Sequence, residues 1–420
     1  MDDIEVHIDF AACLKRVGTL HRHVRRGSDA VSFEYLTAWL EDRASFSLEP
    51  ALALGQGAFV PAQALPIFGS IGDSAPDTWG RRLMQRAERL RAERERRTVR
   101  TLQELDYLLG VSDVSRLGAL RFRRVGEAVF QSPTSTGVPG LIELGRLLQV
   151  TERILRDEET EEDLQLIFAP GSSLGGARPK ASVLDNHGKL SIAKFPRETD
   201  EYSVELWEFV AFRLAQRAGI RVPDHQLLHV FGCPVMLSRR FDRTGNTRVP
   251  FLSGLSMLGL KDGVRGSYPE LVDALTQYGS HARADARELF RRMVFNILIS
   301  NVDDHLRNHG FLWSGPAGWS LSPVYDLNPT PTDIRPRILT TNINLDEATC
   351  DIDLALSSAE YFGMALTDAR TIVKEVAAST ETWRTVAADA GATRREVDRM
   401  ATAFEHSDLT RARSLKVSYP

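Results

Sequence analysis

The chain has 420 residues, 43% of them hydrophobic and 26% charged, with a formal net charge of −4 at pH 7. These proportions exclude disordered, collagenous and low-complexity classes, and the length predicts two or three domains at roughly 100–200 residues each. The charge gives no whole-molecule attraction to nucleic acid, the acidic start MDDIEVHIDF lacks the basic region of a secretion signal, and no apolar run nears the roughly 18 residues of a membrane span, so a cytoplasmic protein is expected.

Three cysteines, Cys13, Cys233 and Cys350, lie too far apart for a CxxC motif, which argues against a zinc site or a disulfide scaffold. Residues 1–125 mix short alternating apolar stretches with a long polar helix predicted from Trp79 to Arg100, behind Asp77 as its N-cap, and are expected to form a separate α+β domain. The many arginines of that helix could meet phosphate or an acidic partner, but a solvated face laced with i,i+4 pairs is the simpler expectation. Residues 126–250 begin with a loop and the helix LIELGRLLQVTERIL, then an acidic stretch, RDEETEED, expected to be a solvated linker. From Phe168 to Pro250 strand-like runs alternate with turns around one helix, a small sheet-based lobe. In residues 251–420 helical periodicity dominates, and no internal repeat has solenoid spacing.

The chemistry-bearing segments follow in one order. Gly171 to Lys180, GSSLGGARPK, is a glycine-rich stretch whose backbone N–H groups could cradle phosphate at Gly175 and Gly176, although it matches neither Walker A nor GxGxxG. Only seven of the 52 basic residues are lysines, so a lysine in an apolar strand stands out. Lys194, in SIAKF, is one, and an anion there would offset its desolvation. Helix ELWEFVAFRLAQRAGI then offers Glu208, with Glu205 as the alternative, to pair with such a lysine as in kinases.

The most specific segment is NVDDHLRN, in which Asp303 precedes Asn308 by five residues, as the base aspartate of H-R-D-x-x-x-x-N precedes its metal-binding asparagine. Asp326 in VYDL stands where a second magnesium carboxylate would follow. Asp304 is the rival for the base, at an offset of four, and His305 is expected to brace the loop beside the nucleotide rather than to act as base.

Together, GARPKASV, SIAKFP, RLAQRAGI, RRFDR, NVDDHLRN and VYDL resemble, in that order, the HipA family of bacterial serine/threonine kinases, toxins of HipA/HipB-type toxin–antitoxin pairs. VGTLHR, FEYLTAWL and DSAPDTWGRRL resemble that family's N-terminal subdomain, so the resemblance runs along about the whole chain. It implies an α+β, two-lobed protein-kinase-like fold with an extra N-terminal α+β subdomain and a mainly helical C-lobe. ATP and Mg²⁺ would be the cofactors, with transfer to a protein serine or threonine, such as one on an aminoacyl-tRNA synthetase. By motif match Asp303 is the base, Asn308 and Asp326 hold Mg²⁺, Lys194 and Lys180 meet phosphates, and the backbone from Arg239 to Phe241 forms the adenine hinge. Ser173, with Ser172 as fallback, matches the autophosphorylated loop serine. The resemblance also implies a HipB-like helix-turn-helix antitoxin, with DNA reached only through it and no membrane. Two departures stand out: Asp303-Asp304-His305 where the family has D-G-H, and Arg178-Pro179-Lys180 where it has Gln-x-Lys. A catalytically weak fold acting as corepressor with its antitoxin, or a small-molecule kinase, would be the alternatives.

Overall fold

The computed structural model describes residues 3–11, 13–25, 28–62, 65–132, 137–168, 176–245 and 247–416. The chain divides into two units, one of residues 1–197 and 228–252, the other of residues 198–227 and 253–420. The short helical excursion after residue 197 therefore groups with the C-terminal part.

In the first unit, β1 (Ile4–Phe10), β2 (Cys13–Arg25), β3 (Ser28–Tyr35), β4 (Ala58–Phe59) and β5 (Leu120–Arg124) form a sheet in the order β4-β3-β2-β1-β5. Its pairings are antiparallel, with a register shift at Val6/His7. Helix α1 (Thr78–Arg94) opens where Asp77 Oδ1 accepts the Gly80 amide at 2.8 Å, an N-cap of the expected kind. It closes six residues before the expected Arg100: Arg96 turns left-handed at φ +52°, and Arg97 folds back onto Glu88 at 2.6 Å.

The arginines of α1 do not make the expected i,i+4 lattice. Arg86 reaches Glu159 and Asp157 at 2.8 and 2.6 Å, and Arg94 reaches Glu161 at 2.7 Å. The acidic stretch is thus a counter-charge rather than a solvated linker, and its end winds into α3 (Glu161–Phe168) beside α2 (Leu144–Leu155). Trp79 and Leu83 of α1 share a core with Leu147, Val150 and Ile154 of α2 and with Ala181, Val183, Ala193 and Val235 of the next sheet. That sheet pairs β6 (Lys180–Leu184) with β7 (Leu190–Lys194), and β7 with β8 (Cys233–Arg239), all antiparallel.

The second unit contains α4 (Val204–Arg217), α5 (Tyr268–Tyr278), α6 (Ala282–Leu298), the hairpin β9 (Gly310–Trp313) and β10 (Trp319–Leu321), and then α7 (Leu366–Thr380), α8 (Trp383–Asp389), α9 (Arg394–Phe404) and α10 (Ser407–Ser414). Its centre is α6, buried from Leu289 to Leu298 except at Arg291 and packed on α5 and α7. Trp207 of α4 meets Trp383 and Phe404, which stack at 4.7 Å and 8°. Cys13, Cys233 and Cys350 are free thiols, and among the described residues no helix is long and apolar enough to cross a membrane.

His406 caps α10: its Nδ1 accepts the Leu409 amide at 3.3 Å while Nε2 faces Leu298 O at 3.1 Å, roles that only the neutral ring can fill together. Burial, reinforced by the Arg337 charge, pushes its pKa down to about 4 from the ordinary 6.5. As pH falls through 6.5 the unfolded chain therefore gains a proton that the folded chain refuses until about pH 4, so acid costs stability, by about 3 kcal/mol for this ring once pH is below both values. Urea midpoints taken from pH 7 to pH 4 should fall less steeply in His406→Asn, which retains a capping oxygen; equal slopes would count against this role.

Candidate active site

The loop after α6 begins with Ser300 at φ +51°, which turns the chain out of the helix, and the Asn301 amide returns to Asn296 O at 2.9 Å. Asp303 is half-exposed, and its Oδ1 lies 3.3 Å from Arg335. Asn308 Nδ2 donates to the Asp303 carbonyl at 2.9 Å, so the five-residue spacing closes a small ring that brings the two residues together. The same bond turns Asn308 Oδ1 the other way, where it is buried and has no hydrogen-bond donor. An amide oxygen in that state fits a hard cation.

Asp326 lies at φ +58°, a region that costs a non-glycine residue about 1–3 kcal/mol and that clusters at functional sites. Tyr325 Oη donates to Arg307 O at 2.7 Å, so the residues just before Asp326 and Asn308 are bonded to each other. Among the described residues no group of three or more His, Cys, Asp or Glu is placed to hold a metal. One asparagine and one aspartate oxygen nevertheless fit Mg²⁺, which commonly takes one or two protein carboxylates and fills its shell with phosphate and water.

Asp304, the rival base, is 1% exposed and fully engaged. Its Oδ2 accepts from Tyr268 Oη at 2.8 Å and its Oδ1 from the Thr340 and Thr341 amides at 2.8 and 3.2 Å. Burial pushes its carboxyl up to about 6 against the pull of those donors. A side chain so enclosed does not reach an acceptor hydroxyl. His305 keeps a buried Nδ1 without a partner, and the bracing hydrogen bond comes instead from His309, whose Nε2 meets Asp304 O at 3.1 Å. Burial drives the His309 pKa down to about 3, so the ring is neutral and donates from Nε2. Sequence reasoning passed over His309; its place beside a D-x₄-N asparagine was the available signal.

In the first unit, Lys180 and Lys194 are cross-strand partners in the β6–β7 register and so share a face. The Lys180 ammonium lies 2.8 Å from Asp77 Oδ2, with side-chain exposures of 1% and 3%. That buried ion pair gives Lys180 a structural partner where a phosphate contact was expected. Lys194 is half-buried, and Glu208 and Glu205 of α4 are both buried in the second unit. The start of α1 holds the end of the glycine-rich stretch as well: the Trp79 amide donates to Gly176 O at 3.3 Å, and Trp79 Nε1 to Lys180 O at 3.2 Å. Gly176 stands at φ +98°, accessible to glycine. Gly175, Ser172 and Ser173 lie outside the described residues.

The hinge segment alternates. Arg239 and Phe241 are half-buried, whereas Arg240 and Asp242 face inward at 2% and 0% exposure. Asp242 accepts from Arg240 at 2.6 and 2.7 Å, from Arg243 at 2.6 Å and from the Gly118 amide at 2.7 Å. The RRFDR motif thus carries a buried charge cluster that the hinge reading did not foresee.

The family model for the HipA-like C-terminal domain matches residues 172–384. The serine/threonine-protein kinase toxin HipA of Shewanella oneidensis is 24% identical over 270 residues, 53% of this chain and 59% of that protein. A Haemophilus influenzae protein assigned by name to the kinases is 26% identical over 180 residues, 37% of this chain and 52% of its own length. The alignments thus span about half the length of these curated relatives. The structure of Shewanella oneidensis HipA, solved with HipB and operator DNA, superposes with a TM-score of 0.65 at 16% identity, covering 99% of this chain and 100% of that one, which shows a common fold. With the model spanning half of the sequence and all but the first residue of the glycine-rich stretch, the strand lysine and the D-x₄-N loop falling inside it, the chain belongs to the HipA-like family.

Proposed function

We propose that the chain is an ATP- and Mg²⁺-dependent protein serine/threonine kinase of the HipA toxin type, acting in the cytoplasm. The observation that carries this reading is the buried, unpartnered Asn308 Oδ1, on the side chain whose Nδ2 holds the carbonyl of half-exposed Asp303, with Tyr325 bonding Arg307 so that the residues just before Asp326 and Asn308 are joined. Asp303 accepts the proton of the acceptor hydroxyl as its oxygen bonds to the γ-phosphorus, the bond from that phosphorus to the bridging oxygen breaks, and ADP leaves. Asn308 and Asp326 hold Mg²⁺, which when bound neutralises phosphate charge. Gly175, Gly176 and Lys194 meet the phosphates, Glu208 orients Lys194, His305 lines the nucleotide, and the Arg239–Phe241 backbone takes adenine. Lys180 stays with Asp77.

The acceptor we propose is a translation component such as an aminoacyl-tRNA synthetase, and the partner a HipB-like helix-turn-helix antitoxin, through which DNA is reached. Ser173, or else Ser172, is the proposed self-modification site, since about −1.5 to −2 charges there would repel the ATP phosphates. The test is incubation of the purified chain with Mg-ATP and lysate, followed by phosphosite mass spectrometry. Phosphate on a lysate protein and on Ser172 or Ser173 is expected, and none anywhere would end the kinase reading. Asp326→Ala should weaken Mg²⁺-dependent nucleotide binding roughly tenfold or more; an unchanged Mg-ATP thermal shift would remove Asp326 from the metal site.

A further inference from the structure

Between the Asp326 turn and the base loop runs a buried chain of four hydrogen bonds that all point one way. The Asn328 amide donates to Asn301 Oδ1 at 3.1 Å, Asn301 Nδ2 to Asn296 Oδ1 at 3.0 Å, Asn296 Nδ2 to Tyr268 Oη at 3.0 Å, and Tyr268 Oη to Asp304 Oδ2 at 2.8 Å. Tyr268, Asn296, Asn301 and Asp304 are 0%, 4%, 2% and 1% exposed. Side-chain amides could be turned end for end, but the two ends of the chain cannot: a backbone N–H only donates and a carboxylate only accepts. The ends fix every orientation between them.

We infer that Asp304 is the acceptor that terminates this one-way chain, and that Asp304 and Tyr268 are positioning residues which hold the Asp326 segment in register with the Asp303–Asn308 loop. The role in Mg²⁺ binding rests on the kinase reading; the mechanical link does not. Asp304 is suited to the end position because its other oxygen is pinned by the Thr340 and Thr341 amides. An amide at 304 has one acceptor oxygen. It would have to turn N–H toward the Thr340 and Thr341 amides or toward Tyr268 Oη, which already receives Asn296, and reversing Tyr268, Asn296 and Asn301 to escape would set two donors face to face at Asn328. This accounts for an extra carboxylate at a position where no side chain is needed for transfer.

The test compares wild type with Asp304→Asn and with Tyr268→Phe, a conservative variant that keeps the ring and should fold. Hydrogen exchange is followed by mass spectrometry without nucleotide or metal, and binding of a non-hydrolysable ATP analogue is then titrated with Mg²⁺. Both variants should speed exchange in the peptide containing Asn328, by roughly three- to tenfold for the loss of one internal hydrogen bond, and raise the half-saturating Mg²⁺ by a similar factor. Unchanged exchange at Asn328 in folded Tyr268→Phe would overturn the link, and faster exchange with an unchanged Mg²⁺ midpoint would overturn the positioning role. If the wild type binds the analogue without regard to Mg²⁺, the kinase reading fails and takes the positioning role with it, while the exchange data still decide the link.

Discussion

Asp303→Asn should lower the initial rate of phosphoryl transfer by roughly 10²–10⁴-fold, the range over which positioned general bases contribute. The amide keeps the shape of the side chain and loses the capacity to take a proton from the acceptor hydroxyl. Folding should hardly notice, because the carboxylate is half-exposed and its ion pair with Arg335, at 3.3 Å, is of an exposed class worth about 0–1 kcal/mol. The Asn308 bond to the Asp303 carbonyl involves backbone and survives the change. Nucleotide affinity is therefore expected to stay within about fivefold, since about 1 kcal/mol of local change at most is at stake. Transfer measured with labelled ATP, beside analogue binding on the same preparation, separates these effects. Full activity in the variant would remove Asp303 from the base role, and a matching loss of binding would make it a structural residue.

The largest stability effect is expected in the first unit, at Asp242. Burial would raise its carboxyl, but the Arg240 and Arg243 guanidiniums beside it outweigh that and hold it well below the usual carboxylate range. Asp242→Ala leaves Arg240, whose side chain is fully buried, without its counter-charge, a loss of about 3–5 kcal/mol. It also frees the Gly118 amide, at a position where φ +73° already favours glycine. Replacing the pair with Arg240→Met and Asp242→Leu together should cost less than the single change, since the fully buried Arg240 charge is then gone and only Arg243, whose side chain is 12% exposed, lacks the carboxylate. Urea denaturation followed by tryptophan fluorescence would read both variants; a single-variant loss under 1 kcal/mol would mean that the cluster is solvated.

What the sequence made legible was local. Asp303, Asn308 and Asp326 were singled out by spacing within short segments, and the Asn308 bond to the Asp303 carbonyl shows that the five-residue spacing brings those two residues together. The N-cap at Asp77 was found in the same way. What escaped was pairing across distance. Nothing near Lys180 in sequence points to Asp77, and nothing near Arg86 points to Glu159, so the Lys180 ion pair was not foreseen and an acidic counter-charge was read as a linker. The inward turn of Arg240 and Asp242 was hidden for a related reason: strand alternation says which residues share a face, but not which face the neighbouring segment covers. His309 escaped, and Asp304 was weighed as a base, because burial, not residue type, sets the surroundings of both.

The ion pair between Asp77 and Lys180 bears on what counts as a module. The region matched by the family model begins at residue 172, yet the first charged side chain of its first strand is neutralised by a carboxylate about a hundred positions upstream, and the carbonyls of Gly176 and Lys180 are held by Trp79. Cut at that boundary, the matched region would lose the Asp77 carboxylate from the buried Lys180 ammonium and the donors that fix the outgoing edge of its glycine-rich stretch. Residues outside the matched region are thus as much part of this lobe as the glycine-rich stretch itself, and a change at Asp77 or Trp79 is felt first at Lys180 and Gly176.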